Sequence, residues 1–150
     1  MAANSMREQI IVYVKGKVEE LASIKTVSRV RQTYSQLQQF AVTQLPLVAV
    51  VGRLPHPVEK VSSRTKVKID LIISELLIDL YVYFQDNVTP DETLSNLLDD
   101  LWVKLYSDEA MGNLVISTLL SVDEQPEYWE PFVAFRMMVK VKYKHTTGGI

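Results

Sequence analysis

The fold turns on Val67-Lys68-Ile69-Asp70-Leu71-Ile72-Ile73-Ser74-Glu75-Leu76-Leu77-Ile78-Asp79-Leu80-Tyr81-Val82-Tyr83-Phe84-Gln85. A period of two runs through it, the spacing of a half-buried strand. Val67, Ile69, Leu71 and Ile73 alternate with Lys66, Lys68 and Asp70, which turns the odd positions inward. Beyond Glu75 the strictly apolar set is Leu76, Ile78, Leu80, Val82 and Phe84, so the even positions face inward. A two-residue period changes phase only through a bulge or a break. The spacing predicts one near Ser74-Glu75, and with it one long bent strand or two consecutive strands.

On the C-terminal side the pattern changes to a helix. Thr89-Pro90-Asp91-Glu92 offers an N-cap, a proline at the first helical position and an acid three residues after the cap. Leu94, Leu97, Leu98, Leu101, Trp102 and Leu105 follow at helical spacing, and Asp91, Glu92, Asp99 and Asp100 form the solvated side. Leu114 to Val122 is compatible with either strand or helix. After the acidic turn 123–127, Val133, Phe135, Met137, Val139, Val141 and Tyr143 alternate with Arg136, Met138, Lys140, Lys142 and Lys144, a strand with a core face and a basic face. Thr146 to Ile150 reads as a mobile tail.

On the N-terminal side, Ile10, Val14, Val18 and Leu21, with Ile11, make the apolar stripe of a first helix. Residues 24–31 read as an edge strand with basic residues. Residues 32–44 fit either a short helix around Ser35–Phe40 or an irregular connection. Leu47-Val48-Ala49-Val50-Val51, bounded by Pro46 and Gly52, is a buried strand. The prolines, serines and basic residues of 53–65 predict a long loop or extended arm, near 53–66, of a single domain spanning 1–150.

The chain has 150 residues, one ordinary domain, and its 47% hydrophobic and 23% charged residues exclude overall disorder. It has no cysteine, which excludes disulfide scaffolds, thiol catalysis and cysteine-built metal sites, and its two histidines, His56 and His145, leave little for a His-built one. The apolar run 67–84 is interrupted by Lys68, Asp70, Glu75 and Asp79, and the first residues lack a basic patch followed by an apolar core. A soluble chain with no membrane partner is expected. Net charge is only −2, but residues 1–68 hold eleven Lys/Arg against four Asp/Glu, residues 69–130 one against fourteen, and residues 131–150 four against none. Such blocks either make a dipolar surface that attracts copies of itself, or interleave on folding and cancel.

Catalytic and phosphate-binding motifs such as G-x-x-x-x-G-K-[ST], G-x-G-x-x-G, H-E-x-x-H and G-x-S-x-G are absent. His56 lies between two prolines and His145 falls in the expected tail, so neither is placed as a catalytic base. Asp99 and Asp100 are adjacent and diverge by about 100° on a helix, which makes them a solvated face rather than an acid–base pair. Asn87-Val88-Thr89 matches the glycosylation pattern but precedes Pro90, with no secretion signal. Tyr81, Tyr83, Phe84, Tyr128 and Trp129 neighbour acids rather than bases, which favours core or protein-interface use over nucleic-acid stacking. No catalytic, cofactor or metal residue is expected, and the chain reads as a non-enzyme.

Several stretches carry a family likeness. They are the N-terminal amphipathic helix, the 45–51 strand Leu-Pro-Leu-Val-Ala-Val-Val, the 77–83 strand Leu-Ile-Asp-Leu-Tyr-Val-Tyr leading to an acid-capped helix with Leu-Asp-Asp-Leu-Trp (98–102), and an ending of 113–122, Trp129 and Val-Lys-Val-Lys-Tyr-Lys (139–144). In this order they resemble the tail terminator (tail completion) proteins of long-tailed bacteriophages, the lambda gpU-like family, with an extra extended stretch over 64–75. The resemblance implies an α+β fold: a mixed, largely antiparallel β-sheet flanked by an N-terminal helix and a central helix. It further implies a six-membered ring that caps the tail tube, stops its polymerisation and offers the surface for head–tail joining. The implied partners are other copies of the chain in a hexamer, the tail tube protein and the head–tail connector or neck protein, with DNA passing through the lumen without sequence-specific binding. The implied location is the virion tail, assembled in the host cytoplasm. Ring contacts are expected at Arg53, His56, Lys60 and Arg64 in the loop, and at Arg136, Lys140 and Lys142 on the last strand. Another head–tail connector or tube component, and a nucleic-acid-binding module using the basic residues, are the alternative readings.

Overall fold

Two long strands form the spine. In the computed structural model, which describes residues 5–61, 71–123 and 125–146, β4 (Leu71–Gln85) and β7 (Phe132–Thr146) pair antiparallel from Leu71 opposite Thr146 to Gln85 opposite Phe132, without a slip. Each spans about 50 Å at ~3.3 Å per residue. Around them lie α1 (Met6–Glu19), β1 (Thr26–Ser28), α2 (Tyr34–Leu37), β2 (Leu47–Gly52), β3 (His56–Val61), α3 (Pro90–Tyr106), β5 (Ser117–Val122) and β6 (Glu127–Trp129). The sheet order is β1-β2-β4-β7-β5, with β3 also on β4 and β6 also on β7. Only β1 and β2 run parallel. The fold is α+β, with an N-terminal and a central helix against a mixed, mostly antiparallel sheet.

Alternation of side chains fixes which face does what. Even positions of β4 (Leu76, Ile78, Leu80, Val82, Phe84) and odd positions of β7 (Phe135, Met137, Val139, Val141, Tyr143) are buried together. Ile10, Ile11, Val14 and Val18 of α1 and Leu97, Leu101 and Leu105 of α3 close over them. Each such side chain contributes about 1.5–3 kcal/mol on burial. On the opposite face, Leu37 of α2 and Leu45 cover only one end of the sheet, above Leu47, Ala49, Tyr83, Phe132 and Ala134. Among the described residues no helix covers the rest of that face, as an antiparallel sheet allows.

Three expectations are corrected here. The change of phase at Ser74-Glu75 does not occur, because β4 keeps one register throughout and Ser74 is already on the core side at 3% exposure. Leu71 and Ile73 break the pattern because they lie on the open face, while Val67 and Ile69 fall outside the described residues. The irregularity sits across the ladder in β3, where Pro57 opposes Ser74 and Glu59 opposes Ile73, leaving Val58 as the bulged residue. Second, the loop or arm of 53–66 is in part a strand. His56–Val61 pairs with β4 as an outer strand, the place in a sheet where proline is tolerated; its remainder from 62 lies outside the described residues. Third, His145 and Thr146 belong to β7 rather than to a tail, whose residues 147–150 are not among those described.

The undecided segments resolve on chain context. Residues 117–122 form a strand, with Thr118, Leu120 and Val122 turned toward the core and Ser117, Leu119 and Ser121 outward. Tyr34–Leu37 is one helical turn closed by a reciprocal Thr33–Gln36 capping box. Helix α3 starts at Pro90 as expected, but the Thr89 side chain makes no cap bond. Asp86 instead braces the turn before the helix, accepting from the Val88 and Thr89 N–H groups at 2.8 and 2.9 Å, and ties it to the first turn by accepting from the Thr93 hydroxyl. No helix among the described residues is long and apolar enough to cross a membrane.

Candidate assembly surface

The uncovered part of the sheet is built by the odd positions of β4 and the even positions of β7. A strand pairs every second residue across to the same face, so Glu75, Leu77, Asp79 and Tyr81 stand opposite Lys142, Lys140, Met138 and Arg136. Two carboxylates organise this face. The Asp79 side chain is 5% exposed. Arg53 donates to both its oxygens, Nε at 2.9 Å and Nη2 at 3.1 Å, and Arg136 approaches at 3.9 Å. Glu75, 13% exposed, lies 3.5 Å from His56 Nε2 and 3.5 Å from Lys140 Nζ.

Local structure sets these positions. Arg53 follows β2 directly, and its N–H donates to the Leu77 carbonyl at 2.9 Å. The Arg7 side chain, from the first turn of α1, ties the same corner by donating to the Gly52 and Arg53 carbonyls at 2.8 and 3.0 Å. A methyl group on Gly52 would collide with the buried Ile11 side chain, so glycine is required for this close approach of α1 to β2. Arg136 forms a fork onto Asp123 at 3.0 and 2.8 Å. Hydrogen bonding to Asp123 holds the Arg136 guanidinium above its ordinary pKa, and the Asp79 hydrogen bond does the same for Arg53.

Four of the expected contact residues therefore converge on two acids, buried Asp79 and half-buried Glu75: Arg53 and Arg136 on Asp79, His56 and Lys140 on Glu75. Lys142 is exposed on the same face, with Lys144 beyond it. Lys60 does not join them, because it opposes Ile72 and so stands on the helix-side face. Arg64 lies outside the described residues. The sequence reading missed Asp79 and Glu75 as the centres. A carboxylate at a strand position flanked by apolar residues needs a cation at its side, and that was the available signal.

Beside this charged lattice, where the α2 segment begins to cover the sheet, a slot of about 230 Å³ opens between Arg31, Tyr81, Tyr83, Trp129 and Arg136. The Arg31 guanidinium lies over the Tyr81 ring, 4.7 Å from its centroid. Tyr83 accepts the Gln32 N–H on its hydroxyl at 3.2 Å, and Trp129 stacks obliquely on it at 6.1 Å.

On the helix side, Ser74 Oγ and His145 Nε2 lie 2.6 Å apart, the reach of a nucleophile and its base. Ser74 is 3% exposed and stands across the ladder from Tyr143, whose hydroxyl has no hydrogen-bond partner among the described residues.

The fold and surface thus define a class of protein: a small α+β domain whose sheet separates a helix-covered face from a charged open one. No family model matches the chain, and no curated protein matches its sequence.

Proposed function

We propose that this chain is a ring-forming tail terminator of a long-tailed phage. In this reading, copies close into a six-membered ring that caps the tail tube, stops its polymerisation and offers the neck or connector protein its docking surface, with DNA threading the lumen. One observation carries the reading: Glu75, Asp79 and Asp123 offset part of the basic charge on the open face, and the charge left over is basic there and acidic on α3 across the sheet. Arg53, His56, Arg136, Lys140, Lys142 and Lys144 stand on the open face. Exposed Asp91, Glu92 and Asp99 stand on α3 over the other face and make no ion pair with any described residue. Two unlike patches on opposite sides of one subunit favour head-to-tail contacts, and such contacts give a ring when the rotation closes and a filament when it does not.

Native mass and negative-stain images of the purified protein, with and without tail tubes, test this. Rings seated at tube ends, with no further growth of those tubes, are expected. A monomer indifferent to tubes overturns the reading. Tight DNA binding that weakens about a thousandfold between ~50 and ~200 mM salt would favour the nucleic-acid-binding module instead.

A further inference from the structure

The geometry points to the Arg31 slot as the socket that receives the exposed acidic stripe of helix α3 from a second copy of this chain, an assignment that rests on the ring reading above. The slot holds two guanidinium groups in different situations. Arg136 is committed to Asp123. Arg31 is exposed, makes no ion pair with any described residue, and lies over the Tyr81 ring. Tyr81, Tyr83 and Trp129 line the slot together with Asp123, Glu127 and Gln125; Asp123 is taken by Arg136, so Arg31 is the guanidinium of the slot left beside aromatic surface without an ion pair among the described residues. The complementary ligand is a carboxylate carried beside apolar side chains.

Helix α3 presents that chemistry. Asp99, Trp102, Val103 and Tyr106 fall at i, i+3, i+4 and i+7 and share one face. Asp99 is exposed without an ion pair, Val103 is 64% exposed, and Trp102 remains 37% exposed while packing edge-on against Tyr106. Socket and stripe lie on opposite faces of the sheet. Tyr81 and Ala134 have the opposite parity to the core-facing residues beneath α3. The stripe of one copy therefore meets the socket of another, and the contact is heterologous.

Charge reversal in the full-length chain tests this, because both positions are exposed and neither variant disturbs the core. R31E carries an acidic socket and an acidic stripe; D99R carries a basic socket and a basic stripe. Sedimentation at low salt should show each variant alone self-associating about tenfold more weakly per contact than wild type. An equal mixture should recover assembly, because every socket then meets an opposite stripe when the two variants alternate around an even-membered ring. If R31E and D99R each assemble like wild type, or if mixing restores nothing while circular dichroism shows both folded, the socket assignment is overturned; rings that still form on tubes leave the ring reading standing. Wild-type protein that stays monomeric with and without tubes overturns both.

Discussion

Asp79 lies on the middle strand of the sheet with its side chain 5% exposed, and two guanidinium groups close over it. A buried carboxylate is expensive unless its oxygens are filled, and here Arg53 fills both. Arg53 is itself 43% exposed, so water screens part of the attraction. Replacing Asp79 by Asn removes the charge that Arg53 and Arg136 share and leaves the two cations facing each other. We expect Asp79→Asn to cost about 1–2 kcal/mol in urea unfolding near neutral pH, toward the low end for a paired group because both partners reach water. An unchanged midpoint would show that the fork contributes nothing to the fold. At this scale the sequence showed the charge of each basic residue but not its partner. Arg53 and Asp79 are 26 positions apart and meet only because β2 pairs with β4.

At the scale of elements, α3 shows how a sequence signature can place a helix and its N-cap residue correctly while the cap bond itself is not made. Thr89-Pro90-Asp91-Glu92 predicts the start, and the helix begins at Pro90, yet the Thr89 side chain makes no cap bond, and it is Asp86 that braces the turn leading into the helix. The Thr93 hydroxyl, then the Thr89 and Val88 N–H groups, hold the Asp86 carboxyl below its ordinary value of 3.8. A carboxylate with a depressed folded pKa contributes stability above its unfolded pKa and loses it as pH falls through the folded one. Asp86→Ala should therefore lower the melting temperature at pH 7, and its gap to wild type should narrow on acidification to about pH 3. A gap that is constant with pH would mean that the carboxylate charge plays no part in holding this turn. Strand β4 illustrates the converse difficulty. Its run of Leu71, Ile72 and Ile73 contains apolar residues on both faces, so periodicity alone was read as a change of phase; the neighbour β7, whose register never slips, shows that the strand is continuous.

At the scale of the whole molecule, the linear charge blocks had two possible fates, and the sheet realises part of each: Glu75, Asp79 and Asp123 pair with Arg53, Arg136 and Lys140, while the remaining charge separates. Basic residues of β7 and of the β2–β3 corner gather on the open face, while the acids of α3 project from the far side. If these patches draw copies together, association weakens as salt rises, because the Debye length falls from about 10 Å at 0.1 M to about 3 Å at 1 M. Sedimentation of the wild-type chain across that range should show a progressive loss of assembled species. Assembly that strengthens with salt would point to apolar contacts, centred on exposed Leu54, Ile116 and Leu119, as the driving surface.

By itself the sequence determined what depends on local periodicity: the two helical stripes, the buried strand 47–51, the alternating last strand and the absence of thiol chemistry. These are readable because a helix and a strand each impose a fixed spacing on the side chains that leave water. Only the tertiary structure decided that 56–61 is an outer strand, that the bulge lies at Val58 instead of Ser74-Glu75, and that five separated segments build one face around Asp79, Glu75 and Arg31. Pairing across the sheet joins residues far apart in the chain, and no local spacing encodes which strand becomes the neighbour of which.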